Sequence, residues 1–400
     1  MGGCALAAAL MFIEVSTYVL KGRKMKKYSK MRALVASVLA LTLAFAMFGC
    51  SSGGTDSGSS AGSASTSTAG MREMDDELGI LEVNDEAQRI AACAAAHWSS
   101  VIMLGAGHKL VAMEEGYGKN TWLQKKFPYL KDLPVVFTSN EVDMEALLQT
   151  DPDLVFYATR YGDEFRDQLE EAHIPYVCDP NLGNDFSFLE RIKEKQIYYG
   201  EAIGGVSEQI ANRYSDEFDD VYNEIARKTE NLPDSQKPSV LQITAADPLT
   251  VIDGSNIAQE WITLAGGVNA GANASGEAKT SGRVEASAEQ VLAWDPEYII
   301  VDNKTTYDAI TGDSALAGVK AIRDGNVVIM PTGLMSWGYH GTEEILMMPF
   351  VAKLIHPELF EDIDIVQRAR DFYDNYYDIE LDDDDIAHIF GTDDVDALFK

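Results

Sequence analysis

Two rhythms of apolar residues alternate along this chain. Short runs such as Leu154, Val155, Phe156, Tyr157 and Ala158 are separated by stretches in which apolar side chains recur every three or four positions. The runs predict strands at 89–94, 109–113, 135–137, 154–158 and 176–178, and again at 239–244 and 327–330. A strand as apolar as 154–158 needs cover on both faces, as in a parallel sheet. Between the two groups of strands, Leu189, Ile192, Ile197, Ile203, Val206, Ile210, Tyr214, Phe218, Val221 and Ile225 keep a helical spacing. One or two long helices are expected there, with Gly200, Gly204 and Gly205 as the points where they bend or break. Beyond Pro357, Phe360, Phe372, Tyr373, Tyr376 and Tyr377 again fall on one helical face and are expected in the core.

A motif within this pattern occurs twice. Glu145, Leu148, Asp151-Pro152, Asp153 and Val155 recur as Glu289, Leu292, Asp295-Pro296, Glu297 and Ile299, 144 residues further on. Each copy reads as the end of an amphipathic helix, an Asp-Pro stop and a short strand, because proline disfavours helix in the residue before it. Two copies of one αβ unit predict an α/β protein with two open-sheet lobes, joined by the long backbone helix, with a ligand cleft between them.

The ends of the chain follow different rules. Lys26, Lys27, Lys30 and Arg32 precede an apolar run over 33–48, then Gly49-Cys50 and a Ser/Gly/Thr/Ala tract to Gly70. This is the layout of a bacterial lipoprotein signal, with Met25 as the expected start and Cys50 as the acylated residue. The expected division is a signal peptide over 1–49, a lipid-anchored low-complexity tether over 50–84 and a first lobe over 85–187. The backbone helix covers 188–230, and a second lobe with an acidic helical tail covers 231–400. Residues 1–49 hold seven Lys/Arg and one Glu, so residues 50–400 carry −38 of a total formal charge of −32. Such a charge argues against nucleic acid or an anionic membrane surface as partner. Asp382 to Asp385 lack the glycine and glutamate of a calcium loop and are expected to form a solvated surface. Cys93 and Cys178 fall in strands of the first lobe; a disulfide is permitted outside the cytoplasm, but buried free thiols are expected.

In open α/β sheets, ligands bind beyond the carboxyl ends of the strands. That rule selects His97 and Trp98 after the first strand, Arg160 and Tyr161 after the strand at 154–158, and Arg283, Asn303, Trp337, Tyr339 and His340 in the second lobe. Aromatic faces suit a flat apolar ligand, and arginine suits anionic oxygens. The phenol of Tyr339 and the imidazole of His340 are groups of the kind that can also ligate a metal. Enzyme signatures are lacking. Gly105-Ala-Gly107 has no third glycine, Glu277 stands where a phosphate-binding loop needs lysine, and no HExxH or nucleophile elbow occurs. No cofactor is expected.

Taken in order, these pieces resemble a known family. Arg89-Ile90 with Leu104-Gly105, Glu145 with Asp151-Pro152, Leu264-Ala-Gly-Gly267-Val-Asn269, Glu289 with Asp295-Pro296, and Asp324-Gly-Asn-Val327 leading to Pro331 and Trp337 are similar to the substrate-binding lipoproteins of ABC importers for iron-siderophores, haem, cobalamin and related metal chelates. The resemblance covers about 85–375. It implies a rigid backbone helix, modest closure, and docking onto the permease and its ATPase through one acidic residue on each lobe. Glu145 occupies that position in the first lobe. In the second lobe Thr263 stands at the family's position, and Glu260, one turn earlier, is the substitute. The expectation is therefore a monomeric receptor without enzymatic activity, lipid-anchored on the extracytoplasmic face of the cell membrane, that captures a ferric siderophore-type chelate. A nickel or cobalt chelate, cobalamin or haem is the alternative, and a surface adhesin or secreted chelatase on the same fold the remoter one.

Overall fold

The computed structural model describes residues 70–400, apart from 140, 184–185, 278–280 and the side chain of 119. The signal sequence, Cys50 and residues 51–69 lie outside the described residues.

The first lobe opens with an antiparallel hairpin, β1 (Met71–Asp76) and β2 (Gly79–Asn84). Residues 71–84 are thus a structured part of the fold, not the end of a tether. Their composition concealed this: most of the hairpin faces water, and only Met74, Asp76 and Val83 are buried. Asp76 fastens the hairpin to the lobe, accepting from the Cys178 N–H at 2.8 Å and from Leu78 at 2.7 Å. Beyond it come β3 (Ile90–Ala92), α1 (Ala95–Met103), β4 (Leu110–Glu114), α2 (Thr121–Lys126) and β5 (Val135–Phe137). The lobe closes with α3 (Met144–Gln149), β6 (Leu154–Phe156), α4 (Gly162–Glu171) and β7 (Tyr176–Val177). The five strands β5-β4-β3-β6-β7 are all parallel. Their carboxyl ends therefore point to one edge, where α1 begins.

The connector is a helical hairpin, not one helix. α5 (Phe188–Ile203) ends at Gly204, and α6 (Val206–Thr229) runs back. Gly204 and Gly205 have φ of +79° and +62°, and a Cβ on Gly204 would lie 2.0 Å from the Asp85 carbonyl oxygen. Gly200 allows the two helices to touch, its Cβ position being 2.5 Å from that of Ala211. At 24 residues, α6 is about 36 Å long. It binds the first lobe through Ser207 Oγ, which donates to the Leu104 carbonyl, and the second through Thr229 Oγ1, which donates to Leu264.

The second lobe contains β8 (Ser239–Ala246), β9 (Leu249–Ile252), α7 (Ile257–Leu264), β10 (Val268–Asn269), β11 (Arg283–Glu285), α8 (Ala288–Trp294) and β12 (Tyr298–Val301). It continues through α9 (Lys304–Gly312), α10 (Lys320–Asp324), β13 (Val327–Ile329), α11 (Glu344–Ile355), α12 (Ile365–Tyr377) and α13 (Asp383–Phe390). Its six-stranded sheet runs β11-β9-β8-β12-β13, with β10 pairing in parallel to the start of β8, and is mixed, because β9 is antiparallel to both of its neighbours. The repeat is visible in three dimensions. α3 and α8 precede β6 and β12, each of which pairs in parallel with the first strand of its lobe's main sheet, β3 and β8. Asp151 and Asp295 both adopt the left-handed conformation, with φ of +47° and +42°. Aspartate tolerates that region better than most residues and so can end a helix directly before proline.

One central apolar cluster runs from Trp98, Val101 and Met103 in the first lobe, through Tyr199, Tyr214 and Phe218 of the connector, to Trp261, Met347, Phe350 and Tyr373 in the second. Two smaller clusters cover the far faces of the sheets. All five tail aromatics expected in the core are buried. The acidic run is only partly solvated, as Asp385 is 1% exposed. Cys93 and Cys178 are buried free thiols. They sit at the ends of β3 and β7 with β6 between them, a span of about 10 Å that no disulfide can bridge.

Candidate functional site

The site is assembled from strand ends. In the first lobe β3 leads directly into α1, whose opening turn carries His97. The imidazole is 7% exposed and lies between the rings of Phe156 and Tyr199, at centroid distances of 5.8 and 5.9 Å. Its Nδ1 has no hydrogen-bond partner among the described residues. Burial lowers its pKa to about 4, with Lys195 and Arg160 adding to the effect and Asp179 opposing it. Asp179 follows β7; it accepts from the Tyr199 hydroxyl at 2.7 Å and from Lys195 at 3.0 Å. Burial raises the Asp179 pKa, but Lys195 and the Tyr199 hydrogen bond outweigh it and leave the carboxyl below its ordinary value. After β6, the exposed Arg160 stacks 4.9 Å from the Tyr161 ring centroid and donates to the Cys93 carbonyl at 2.8 Å. The Tyr161 hydroxyl donates to Thr138 at 2.7 Å.

The second lobe contributes a loop between β13 and α11. Tyr339 donates a short hydrogen bond to Asp302, which also accepts from Gln242 at 2.9 Å. The Arg283 guanidinium lies 5.1 Å from the Tyr339 ring centroid. Burial and then Asp302 push the phenol pKa upward, so Tyr339 is a protonated donor, not a phenolate. His340 sits at φ +55°, a strained conformation for a residue with a side chain. Its ring meets Phe188 at 5.6 Å. Burial, then Lys195 and Arg283, lowers its pKa to about 4, so it too is neutral near pH 7.

His97 from one lobe and His340 from the other thus have Lys195 and Asp179 as common electrostatic neighbours. Around two neutral imidazoles stand three cations, Arg160, Lys195 and Arg283, of which Lys195 is paired with the Asp179 carboxylate and Arg283 acts on Asp302. The lobes also touch here, with Ser99 Oγ 3.9 Å from Met335 Sδ. Asp179 and Lys195 were not among the sequence candidates. The strand-end rule would have yielded Asp179, but Lys195 projects from the connector and has no signal of its own.

Three candidates belong elsewhere. Trp337 is 0% exposed and packs edge-on against Phe390 and Phe350 at 5.3 and 6.2 Å; it is a core residue. Trp98 is 1% exposed, with its indole N–H directed to Glu114 at 3.3 Å and its ring against Tyr117. Asn303 caps α9, accepting from the Thr306 N–H at 2.9 Å. Each follows a strand or lies in a cleft loop, but packing or capping took its side chain. Of the two acidic candidates, Glu145 is exposed in the first turn of α3, with no bond to any described residue. Glu260 caps α5, accepting from the Phe188 and Leu189 N–H groups at 2.8 Å each.

Two α/β lobes on a helical connector, with polar strand ends converging between them, define a solute-binding protein. The chain belongs to the periplasmic binding protein family, which matches residues 90–333. It is similar to the molybdate-binding protein MolA of Haemophilus influenzae, 24% identical over 264 residues, or 62% of this chain and 74% of that one. The fold is shared with a periplasmic solute-binding protein from Veillonella parvula (TM-score 0.70, 24% identity, 82% of this chain and 99% of that one). It is shared also with MolA bound to molybdate (TM-score 0.66, 21% identity, 78% and 99%). Helicobacter pylori CeuE in complex with nickel–histidine gives a TM-score of 0.60 at 17% identity, covering 79% and 98%. The protein is thus an extracytoplasmic substrate-binding protein of the ABC-importer type.

Proposed function

We propose that this protein captures a small metal-containing anion between its lobes and hands it to an ABC permease. The ferric chelate expected from the sequence is one member of that class, and a metal oxyanion is another. The observation that carries the reading is the grouping of Arg160, Lys195 and Arg283 around His97 and His340, in a chain whose formal charge is −32. Three cations set against the Asp179 and Asp302 carboxyls leave a positive balance in an otherwise acidic molecule, which favours an anion, and the low-dielectric walls strengthen each contact. Neutral imidazoles offer lone pairs to a metal or N–H donors to its oxygens. Among the described residues no group of three or more His, Cys, Asp or Glu could hold a bare ion. A ligand that brings its own shell of oxygens fits better. The contact between Ser99 and Met335 favours a compact ligand, and the name of the molybdate-binding relative agrees with an oxyanion.

In this reading the receptor is a monomer, held by an acyl chain on Cys50, and Glu145 meets the permease on the first-lobe side. Glu260 serves as the cap of α5, so the second-lobe contact falls to another residue. The test is a panel of molybdate, tungstate, sulfate, ferric siderophores, haemin, cobalamin and nickel–histidine, followed by thermal shift and calorimetry. Tryptophan quenching is unsuited, because Trp98 and Trp337 are both buried. Saturable binding of one metal-containing anion supports the reading; binding of haemin, cobalamin or an uncharged solute alone overturns it.

A further inference from the structure

We infer that the C-terminal helix α13 is a second tie between the lobes, which holds the lip of the first lobe at a fixed distance from the loop that carries His340. This device goes beyond the binding function and depends on no particular ligand. The helix itself, Asp383–Phe390, lies beyond the stretch matched by the family, although its partners Trp122, Lys126 and Thr332 lie within it.

One end of α13 is fastened to the first lobe. Asp382 and Asp385 form a capping box, each side chain accepting from the other's backbone N–H. Asp385 then uses its remaining oxygen valence across the lobes. It accepts from the Trp122 indole at 3.0 Å and pairs with the Lys126 ammonium, both on α2. His388, one turn along, stacks on the Trp122 ring at 5.4 Å and 16°. Tyr373 of α12 meets the same indole edge-on at 6.1 Å, and Phe127 meets Tyr377 at 6.4 Å. The other end of α13 is fastened to the second lobe. Phe390 packs on Trp337, and the Ile389 carbonyl accepts from the Thr332 N–H at 2.9 Å. Thr332 and Trp337 belong to the loop that continues into Tyr339 and His340.

A buried carboxylate with an indole, an ammonium and a backbone N–H as donors is costly to separate, because each group left behind would be unpaired. With α6 as the first tie, hinge motion meets a second restraint. The two halves of the site are then held near their final spacing before the ligand arrives, which lowers the ordering cost of binding.

Spin labels on Glu164→Cys in the first lobe and Thr305→Cys in the second report the lobe spacing without any ligand. Cys4→Ser and Cys50→Ser remove the other reactive thiols from the full-length chain, since Cys93 and Cys178 are buried. In the otherwise unaltered protein a single narrow distance distribution is expected. In Asp385→Asn with Lys126→Met, the distribution broadens and its mean moves. A distribution that superimposes on the parent's, in a variant whose circular dichroism is native, overturns the inference and reduces α13 to a local stabiliser. Should the double variant not fold, Lys126→Met alone is read by the same criterion.

Discussion

Replacing Glu343 by glutamine should flatten part of the pH–stability profile. The Glu343 carboxylate is fully buried and accepts from the Leu334 and Met335 N–H groups at 2.8 Å each and from the Tyr373 hydroxyl. Burial raises its pKa from 4.5 to about 7, more than these three hydrogen bonds lower it. Between those values the folded protein holds a proton that the unfolded chain has released. Stability therefore falls as pH rises from about 4.5 to about 7 and is level above that. The full loss from this group is about 3 kcal/mol. Glutamine cannot ionise, so Glu343→Gln lacks that slope, while other buried acids contribute equally to both proteins. Denaturant unfolding at intervals from pH 4.5 to 8 gives the difference directly. The parent should lose about 3 kcal/mol relative to the variant across the window. Parallel profiles would refute the reasoning, because they would mean that Glu343 titrates alike in the folded and unfolded states.

Three further outcomes follow from single sites. Gly204→Ala places a Cβ 2.0 Å from the Asp85 carbonyl at φ +79°, and thermal unfolding should show a loss of at least about 2 kcal/mol. Trp337→Ala should cost about 3–5 kcal/mol of stability, whereas Trp337→Phe should keep ligand affinity within error by calorimetry, since the indole is core and not cleft lining. Arg160→Ala and Arg283→Ala should each weaken binding of the anionic ligand by about 1–3 kcal/mol in calorimetry. Arg323→Ala, on the far side of the second lobe, should leave it unchanged.

Much of the fold was legible because its signals are local. The Asp-Pro stops, the apolar runs of β3, β6, β8 and β12 and the tail aromatics each depend on a few neighbouring residues, and the structure follows them. The hairpin at 71–84 was hidden, since one of its faces is solvated and its anchor, Asp76, is an acid that looks like surface. Asp385 was misread for the same reason: its partners Trp122 and Lys126 lie some 260 positions earlier in the chain. Around the candidate site, the strand-end rule selected His97, Arg160 and Tyr161, which do follow their strands, and Tyr339 and His340, which lie in the loop after β13; Arg283 instead opens β11. The rule could not tell which way a side chain turns, so Trp98 and Trp337 were placed in the cleft although both are core. Lys195 was invisible because a charged residue on a helix carries no mark of the cleft it faces.

The central claim is that a metal-containing anion sits between His97 and His340. Anomalous diffraction from crystals grown with the best ligand of the panel, collected at the metal's absorption edge, tests it most directly. The account predicts one strong peak between the lobes, within reach of both imidazoles and flanked by Arg160 and Arg283. A peak on the outer surface of either lobe, with the cleft empty, would contradict it.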